Sequence, residues 1–384
     1  MKKHNWTEIS LITGIRTVLN TGYRMVYPYQ PIWMTELGIG LGVVSRMLAG
    51  QSLVGIMSPL FATLADTRGR KTGMLLGLMV FSLGALTVVF FPTVGGFLIF
   101  LLLSILGKSI FDPSIQAYFG DHVPYQRRGF VLAIVEMSWS GAFFLGVPLV
   151  GFLLNQRGFS APFLLLAVLA LTALLGVVLI IPADPAQSPG QSSVLANFGT
   201  VFRSRSALAG LSLTALICTA NQLVNVVFGV WLDRSFAFQI TALGGASVVI
   251  GLSELVGEGG VSLISDRLSK KKAVLVGVLG SMLSAILLPL LGRSPAGAFL
   301  GLFLFYLTFE FTIVSIIPLM TGVLPEARGT IMAMNGASAS LGRGLGSYLA
   351  APLFAGGFSF IAAGAVAFNL LSLISLQYIL IKEH

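Results

Sequence analysis

Apolar stretches of about 20 residues recur along almost the whole chain, parted by short loops that hold most of its charge. A stretch of that length crosses a hydrocarbon layer roughly 30 Å thick at 1.5 Å per residue. Lipid offers no hydrogen bonds, so a spanning segment must satisfy its backbone internally, and a helix does so within one segment. Only 10% of the residues are charged, against about 25% in a soluble domain. The chain therefore reads as an all-α integral membrane protein with twelve transmembrane helices. The spans are placed at 9–33, 42–64, 73–95, 96–120, 129–153, 161–182, 207–231, 242–264, 273–292, 296–322, 330–353 and 358–381. Met1 to Trp6 is basic and polar like the front of a signal peptide, but the apolar stretch behind it carries Arg16 and Arg24 and no A-x-A site. It reads as a retained first helix.

Twelve spans put both ends of the chain on one side. On that side lie Lys2, Lys3, Arg68, Arg70, Lys71, Arg127, Arg128, Arg203, Arg205, Arg267, Lys270, Lys271, Lys272, Arg328 and Lys382, while Arg157, Arg234 and Arg293 lie opposite. Fifteen basic residues against three predict cytoplasmic termini and insertion in the plasma membrane. The same placement explains a net charge of +9 as a marker of orientation, so nucleic acid is not an expected partner.

Pro182 to Ser206 is the longest polar stretch and contains Pro-Ala-Asp-Pro and Ser-Pro-Gly, with a short amphipathic piece expected at Val194 to Phe202. It divides the chain into a six-helix bundle at 1–182, a cytoplasmic linker at 183–206 and a second six-helix bundle at 207–384. The halves also repeat. Leu64-Ala65-Asp66-Thr67-Arg68-Gly69-Arg70-Lys71 follows span two, and Ile264-Ser265-Asp266-Arg267-Leu268-Ser269-Lys270-Lys271 follows span eight, 200 positions later. At the same offset, Arg128-Gly129 after span four matches Arg328-Gly329 after span ten. Repeats on equivalent loops of a six-plus-six layout are a hallmark of secondary transporters.

On these residues the chain resembles the major facilitator superfamily over essentially its whole length. Leu64, Ala65, Asp66, Gly69, Arg70 and Lys71 match that family's signature between helices two and three, with Ala62 and Thr67 as departures. The resemblance implies two pseudo-symmetric six-helix bundles, a functional monomer, and a loop latch at Asp66, Gly69, Arg70 and Lys71, echoed at Asp266, Arg267, Arg128 and Arg328. Gly141 to Gly151, with Gly146-Val147-Pro148 at its centre, is similar to the glycine and proline motif of proton-driven exporters; close helix packing is the other reading of Gly146 and Pro148. Lys108 is the basic residue nearest to the Arg of the family's helix-four motif.

A charge at the bilayer centre is costly, so intramembrane ionisable residues are functional candidates. Ten fall within the predicted spans: Arg16, Arg24, Arg46, Lys108, Asp112, Glu136, Glu254, Glu258, Glu310 and Arg343. Spans three, six, nine and twelve hold none, and the resemblance places those at the lipid-facing periphery. The first half sums to +2 and the second to −2, an imbalance that favours attraction between halves as a gating device. Lys108 and Asp112, four apart, either pair within span four or serve the transport path. Glu254 and Glu258, also four apart, suit reversible proton uptake unless arginines neutralise them. Arg16 and Glu136 are expected as an inner gate pair, and Arg46 as a snorkelling side chain. Asn221, Gln222 and Asn225 either line a cavity or bond neighbouring helices, and Tyr23, Tyr27 and Trp139 either offer aromatic walls for a substrate or anchor the membrane interface.

Enzyme, channel and receptor readings find less support. His4, His122 and His384 form no metal-binding pattern, Cys218 stands alone, and neither metal nor cofactor is expected. Gly342-Arg343-Gly344-Leu345-Gly346 lies inside an apolar span, where glycines serve helix packing, and no Walker-type motif is present, so an ion gradient is the expected energy source. The expectation is an alternating-access transporter that exports a small amphiphilic or polar molecule by proton antiport, with proton-coupled uptake of a polar, anionic or zwitterionic solute as the alternative.

Overall fold

A computed structural model describes residues 3–58, 69–182, 198–264, 268–324 and 327–380. The described residues are almost entirely helical, and each long helix coincides closely with an apolar stretch of the sequence. In order they are α1 (Lys3–Arg24), α2 (Gln30–Leu37), α3 (Leu41–Ile56), α4 (Arg70–Phe90), α5 (Val94–His122), α6 (Tyr125–Gly141), a π-turn (Ala142–Gly146), α7 (Val147–Arg157), α8 (Ala161–Ile180), α9 (Phe198–Arg203), α10 (Arg205–Phe236), α11 (Ile240–Ile264), α12 (Lys270–Leu291), α13 (Pro295–Val323), α14 (Arg328–Ala355) and α15 (Phe358–Gln377).

Among the described residues nine helices are long and apolar enough to cross a membrane, with α6, the π-turn and α7 counted as one, and α2 with α3 forms a tenth bent by 111°. The helices α1 and α14, 22 and 28 residues long, fall outside that count because polar side chains interrupt them. They are among the helices that carry the site described below.

The predicted first span is not one helix. α1 stops at Arg24, and the chain turns through 25–29 before α2. Pro28 supplies the reason, because it donates no hydrogen bond and biases Tyr27 away from helical geometry. Thr93 and Ser294 cap α5 and α13 by accepting from the backbone N–H groups of Gly96 and Gly297.

The described residues group into two compact units, Met1–Ile39 with Leu60–Gln191 and Gly40–Pro59 with Ser192–His384. In the first unit α4 packs on α5 and α8, and α1 on α6 and α8. In the second α10 packs on α14 and α15, α12 on α13 and α15, α11 on α13, and α3 on α14. The grouping of α3 with the second unit moves Arg46 there. The intramembrane candidates then sum to 3 − 2 = +1 in the first unit and 2 − 3 = −1 in the second.

Three of the four spans without charge are poorly covered by protein. α8, α12 and α15 bury 33, 39 and 33% of their apolar windows, whereas α10 buries 83%. Surface of that kind belongs against lipid. α4, at 50%, is covered as well as α11 and α13.

Candidate functional site

α1 presents Arg16, Asn20 and Arg24 at four-residue spacing, hence on one face, toward α5 and α6. Arg16, 6% exposed, donates from Nε to Asp112 Oδ1 at 3.2 Å and from Nη1 to the Val135 carbonyl at 3.1 Å. Its Nη1 also lies 2.8 Å from Glu136 Oε2. Lys108 Nζ donates to Asp112 Oδ2 and to Asn20 Oδ1, both at 2.6 Å, and Asn20 Nδ2 donates to Ser138 Oγ at 3.2 Å. Glu136, Arg16, Asp112 and Lys108 thus alternate in sign along a continuous chain. Each charge meets an opposite one, which offsets the cost of taking it out of water. Glu136 is the open end, its side chain 48% exposed.

The expected pairs Arg16 with Glu136 and Lys108 with Asp112 both form, joined into one network through Asp112. Asn20 is not among the residues the sequence singles out. Its place midway between Arg16 and Arg24 on the helix face was the available signal.

Arg24, 3% exposed, donates from Nη1 to the Trp139 carbonyl at 2.8 Å. Its guanidinium carbon lies 4.2 Å from the Trp139 ring centroid and 3.5 Å from that of Phe143, so two aromatic faces flank the cation. Tyr23 packs beside Trp139 and Tyr27, with ring centroids 6.2 Å apart in each pair. Tyr23, Tyr27 and Trp139 thus cluster, and Trp139 with Phe143 encloses the Arg24 cation.

Trp139 and Phe143 flank the start of the π-turn that interrupts span five at Ala142–Gly146. Pro148 follows within the first turn of α7, and its missing N–H leaves the carbonyl of Phe144 without the usual helical donor. Gly146 faces Thr21 of α1 so closely that an added Cβ would overlap the threonine side chain. Gly146 therefore serves close packing here, and the π-turn marks the kind of helix interruption common at functional sites.

In the second unit the polar groups centre on α10. Tyr306 donates to Asn225 Oδ1 at 2.7 Å, Asn225 Nδ2 to Gln222 Oε1 at 3.2 Å, and Gln222 Nε2 to Ser347 Oγ at 2.9 Å. Asn225 and Gln222 thus bond neighbouring helices. Asn221 differs, since its Nδ2 is buried with no hydrogen-bond partner among the described residues. Tyr306 and Ser347 were not anticipated.

Glu254 and Glu310 are 2% and 6% exposed, and Glu258 is half-buried. Gly257 lies between the two α11 glutamates, and a Cβ there would sit 3.0 Å from Glu310 Cβ and 2.8 Å from the Leu307 carbonyl. Its bare backbone brings the carboxylate-bearing stretches of α11 and α13 together. Arg343 on α14 is half-buried, and Cys218 of α10 is buried. The neighbouring glycines pack as expected: Gly342 abuts the Ala215 carbonyl, and a Cβ at Gly346 would lie 2.7 Å from Gln222 Cβ. Gly344 faces Ser52 of α3 instead.

Of the loop motifs, Asp66, Asp266 and Arg267 lie outside the described residues. Gly69 adopts φ +90°, open to glycine and strained for other residues, immediately before α4. Arg70 Nε lies 3.2 Å from Asp121 Oδ2. Lys71 Nζ donates to the Val178 and Ile181 carbonyls at 2.8 and 2.7 Å, and Lys271 Nζ to those of Gln377 and Ile379 at 3.2 and 3.1 Å. Arg128 donates to the Gly120 and Val123 carbonyls, which fastens the start of α6 to the end of α5. Arg328 and Arg46 are exposed. Glu8, absent from the sequence candidates, is buried and accepts from the Tyr118 hydroxyl at 2.8 Å.

Comparison with known proteins bears on the family and the fold. Residues 14–347 match the family model described as Major Facilitator Superfamily. The chain is 25% identical over 357 residues to the uncharacterized MFS-type transporter YceJ of Bacillus subtilis (strain 168), covering 90% of this chain and 89% of that one. It is 23% identical over 263 residues to Multidrug resistance protein 1 of the same organism, covering 67% of each. With Multidrug resistance protein MdtG of Klebsiella pneumoniae (strain 342) it shares 22% identity over 296 residues, covering 73% and 71%. Among solved structures, a POT family transporter in complex with 5-aminolevulinic acid superposes with a TM-score of 0.78 at 16% identity, over 97% of this chain and 96% of that one. A bacterial homologue of the human lysosomal transporter Spinster gives 0.75 at 14% identity, over 99% and 97%. At those identities the structural likeness speaks to the fold alone. On the family match and the all-helical membrane fold, the chain is a multi-pass membrane transporter and belongs to the major facilitator superfamily.

Proposed function

We propose that this transporter works by alternating access and exports a small amphiphilic or polar molecule in exchange for protons. The observation that carries the proposal is the chain Glu136–Arg16–Asp112–Lys108, in which a half-buried carboxylate, Asp112, and an exposed one, Glu136, are held by cations. Protonating such a carboxylate removes one of its ion pairs, so proton binding and helix contacts are linked. Glu254, Glu258 and Glu310 offer a second set of carboxylates for the same coupling. Export is favoured over uptake because relatives such as Multidrug resistance protein 1 are named for drug resistance. Arg24 between Trp139 and Phe143 suits a solute with both aromatic or apolar surface and a polar group. In this reading twelve spans form two six-helix bundles joined by the 183–206 linker, in a monomer with both termini in the cytoplasm and the chain in the plasma membrane. Arg70, Lys71, Arg128 and Arg328, with Asp66, Asp266 and Arg267, work the gate.

The test is solute flux in proteoliposomes of fixed orientation under an imposed pH gradient, across cationic, zwitterionic and anionic solutes. Saturable uphill movement of one class against the proton flow supports antiport. Uphill movement with the proton flow identifies uptake, and purely downhill movement contradicts proton coupling.

A further inference from the structure

A groove of about 800 Å³ opens on the lipid-facing side of the first unit, where α4, α7 and α8 meet. It plays no part in the network above. Its size is that of a ligand site, roughly 300–1,000 Å³. Phe152, Leu164 and Val168 form its apolar wall, and Gln156, Arg157 and Ser160 stand at its mouth. The polarity changes along the helix axis: Val168 lies about 10 Å down α8 from the mouth, at 1.5 Å per residue. The wall residues are 60, 49 and 50% exposed in the protein alone, a degree of exposure that suits contact with acyl chains.

Arg157 is exposed, and no carboxylate among the described residues pairs with it. It ends α7, at the membrane boundary implied by the lengths of the two spans it connects. Gln156 adds a neutral hydrogen-bonding group. Ser160 precedes α8 without capping it, which leaves its hydroxyl available. A cation, an amide and a hydroxyl at the mouth of an apolar slot that descends into hydrocarbon match one kind of molecule. A soluble polar solute would gain nothing from the wall, and an uncharged lipid nothing from Arg157.

We propose that this groove is a binding site for an anionic phospholipid, with the phosphate at Arg157 and one acyl chain along Leu164 and Val168. The groove's α7 wall, Phe152 to Arg157, lies on the helix that follows the π-turn of span five. The site is independent of the transport direction and of the coupling ion.

Native mass spectrometry of the purified protein tests this with phosphatidylglycerol and phosphatidylcholine of identical chains. The wild type is expected to retain phosphatidylglycerol about fivefold more strongly, as one well-placed basic residue at a membrane surface provides. Arg157→Lys keeps the preference, Arg157→Glu abolishes it, and Leu164→Trp, which fills the slot, lowers retention of both lipids. Val168→Trp repeats the filling test from the deeper end, should Leu164→Trp unfold in a thermal melt. Equal retention of the two lipids by the wild type, or an unchanged preference in Arg157→Glu, overturns the anionic assignment. Undiminished retention in both filled variants places the lipid elsewhere and overturns the groove.

Discussion

Lys71 and Lys271, 200 positions apart, perform the same task, each donating to two carbonyls at the C-terminal end of the last helix of its half. For Lys71 those are Val178 in the last turn of α8 and Ile181 just after it, and for Lys271 they are Gln377 at the end of α15 and Ile379 just after it. The last carbonyls of a helix have no intrahelical partners and carry the negative end of its dipole, so an ammonium is the natural cap. The internal repeat is thus physical as well as textual.

Removing either cap has a small and separable cost. Lys71→Ala and Lys271→Ala are each expected to lose about 1 kcal/mol, since the amines are partly exposed and screened. The double variant should lose the sum, because the two lysines share no partner. Thermal unfolding in detergent checks this, and a double variant no worse than one single would refute the paired roles.

Asp112 is more consequential. Asp112→Asn leaves Lys108 without its carboxylate and Arg16 with only Glu136, at an expected cost of about 3–5 kcal/mol. Replacing Lys108 as well should restore part of that loss, because the double variant Lys108→Met, Asp112→Asn strands one cation fewer. Unfolding of the wild type, the Lys108→Met and Asp112→Asn single variants and the double variant in nanodiscs reads the coupling, and strictly additive losses would mean that the pair does not interact.

Close packing of α14 on α10 gives a third expectation. Gly346→Leu forces a side chain against Gln222 Cβ and the Thr219 carbonyl, for an expected loss of about 1–3 kcal/mol. Gly336→Ala on the same helix meets nothing within 4 Å and should be neutral or stabilising by up to about 1 kcal/mol. Matching melting temperatures for the two variants would contradict the packing geometry.

Much of this was legible before any coordinates. Hydrocarbon thickness sets span length, so α4, α8, α10 and α12 begin within three residues of where apolar patterning puts them. Charges in lipid must find partners, so Arg16 with Glu136 and Lys108 with Asp112 followed from sign and depth alone. What escaped were groups whose importance comes from geometry rather than charge. Asn20 bridges Lys108 to Ser138, and Tyr306 bonds Asn225 from another helix, yet neither is unusual as a residue type. The break after Arg24 was hidden for a different reason. Span counting by hydropathy sees one continuous apolar run across Pro28, although the proline ends the helix. The grouping of α3 with α14 arises from helix contacts that no loop motif records.

The central claim is that carboxylates within the membrane helices couple export to proton entry, and proton movement in energised inverted vesicles tests it most directly. A pH-sensitive dye reports the gradient while cationic, zwitterionic and anionic compounds are added in turn. The account predicts that one class collapses the gradient with the wild type, and that Glu254→Gln, Glu258→Gln and Asp112→Asn variants reaching the membrane in equal amounts respond weakly or not at all. A gradient untouched by every class, while the wild type still moves solute, would contradict it.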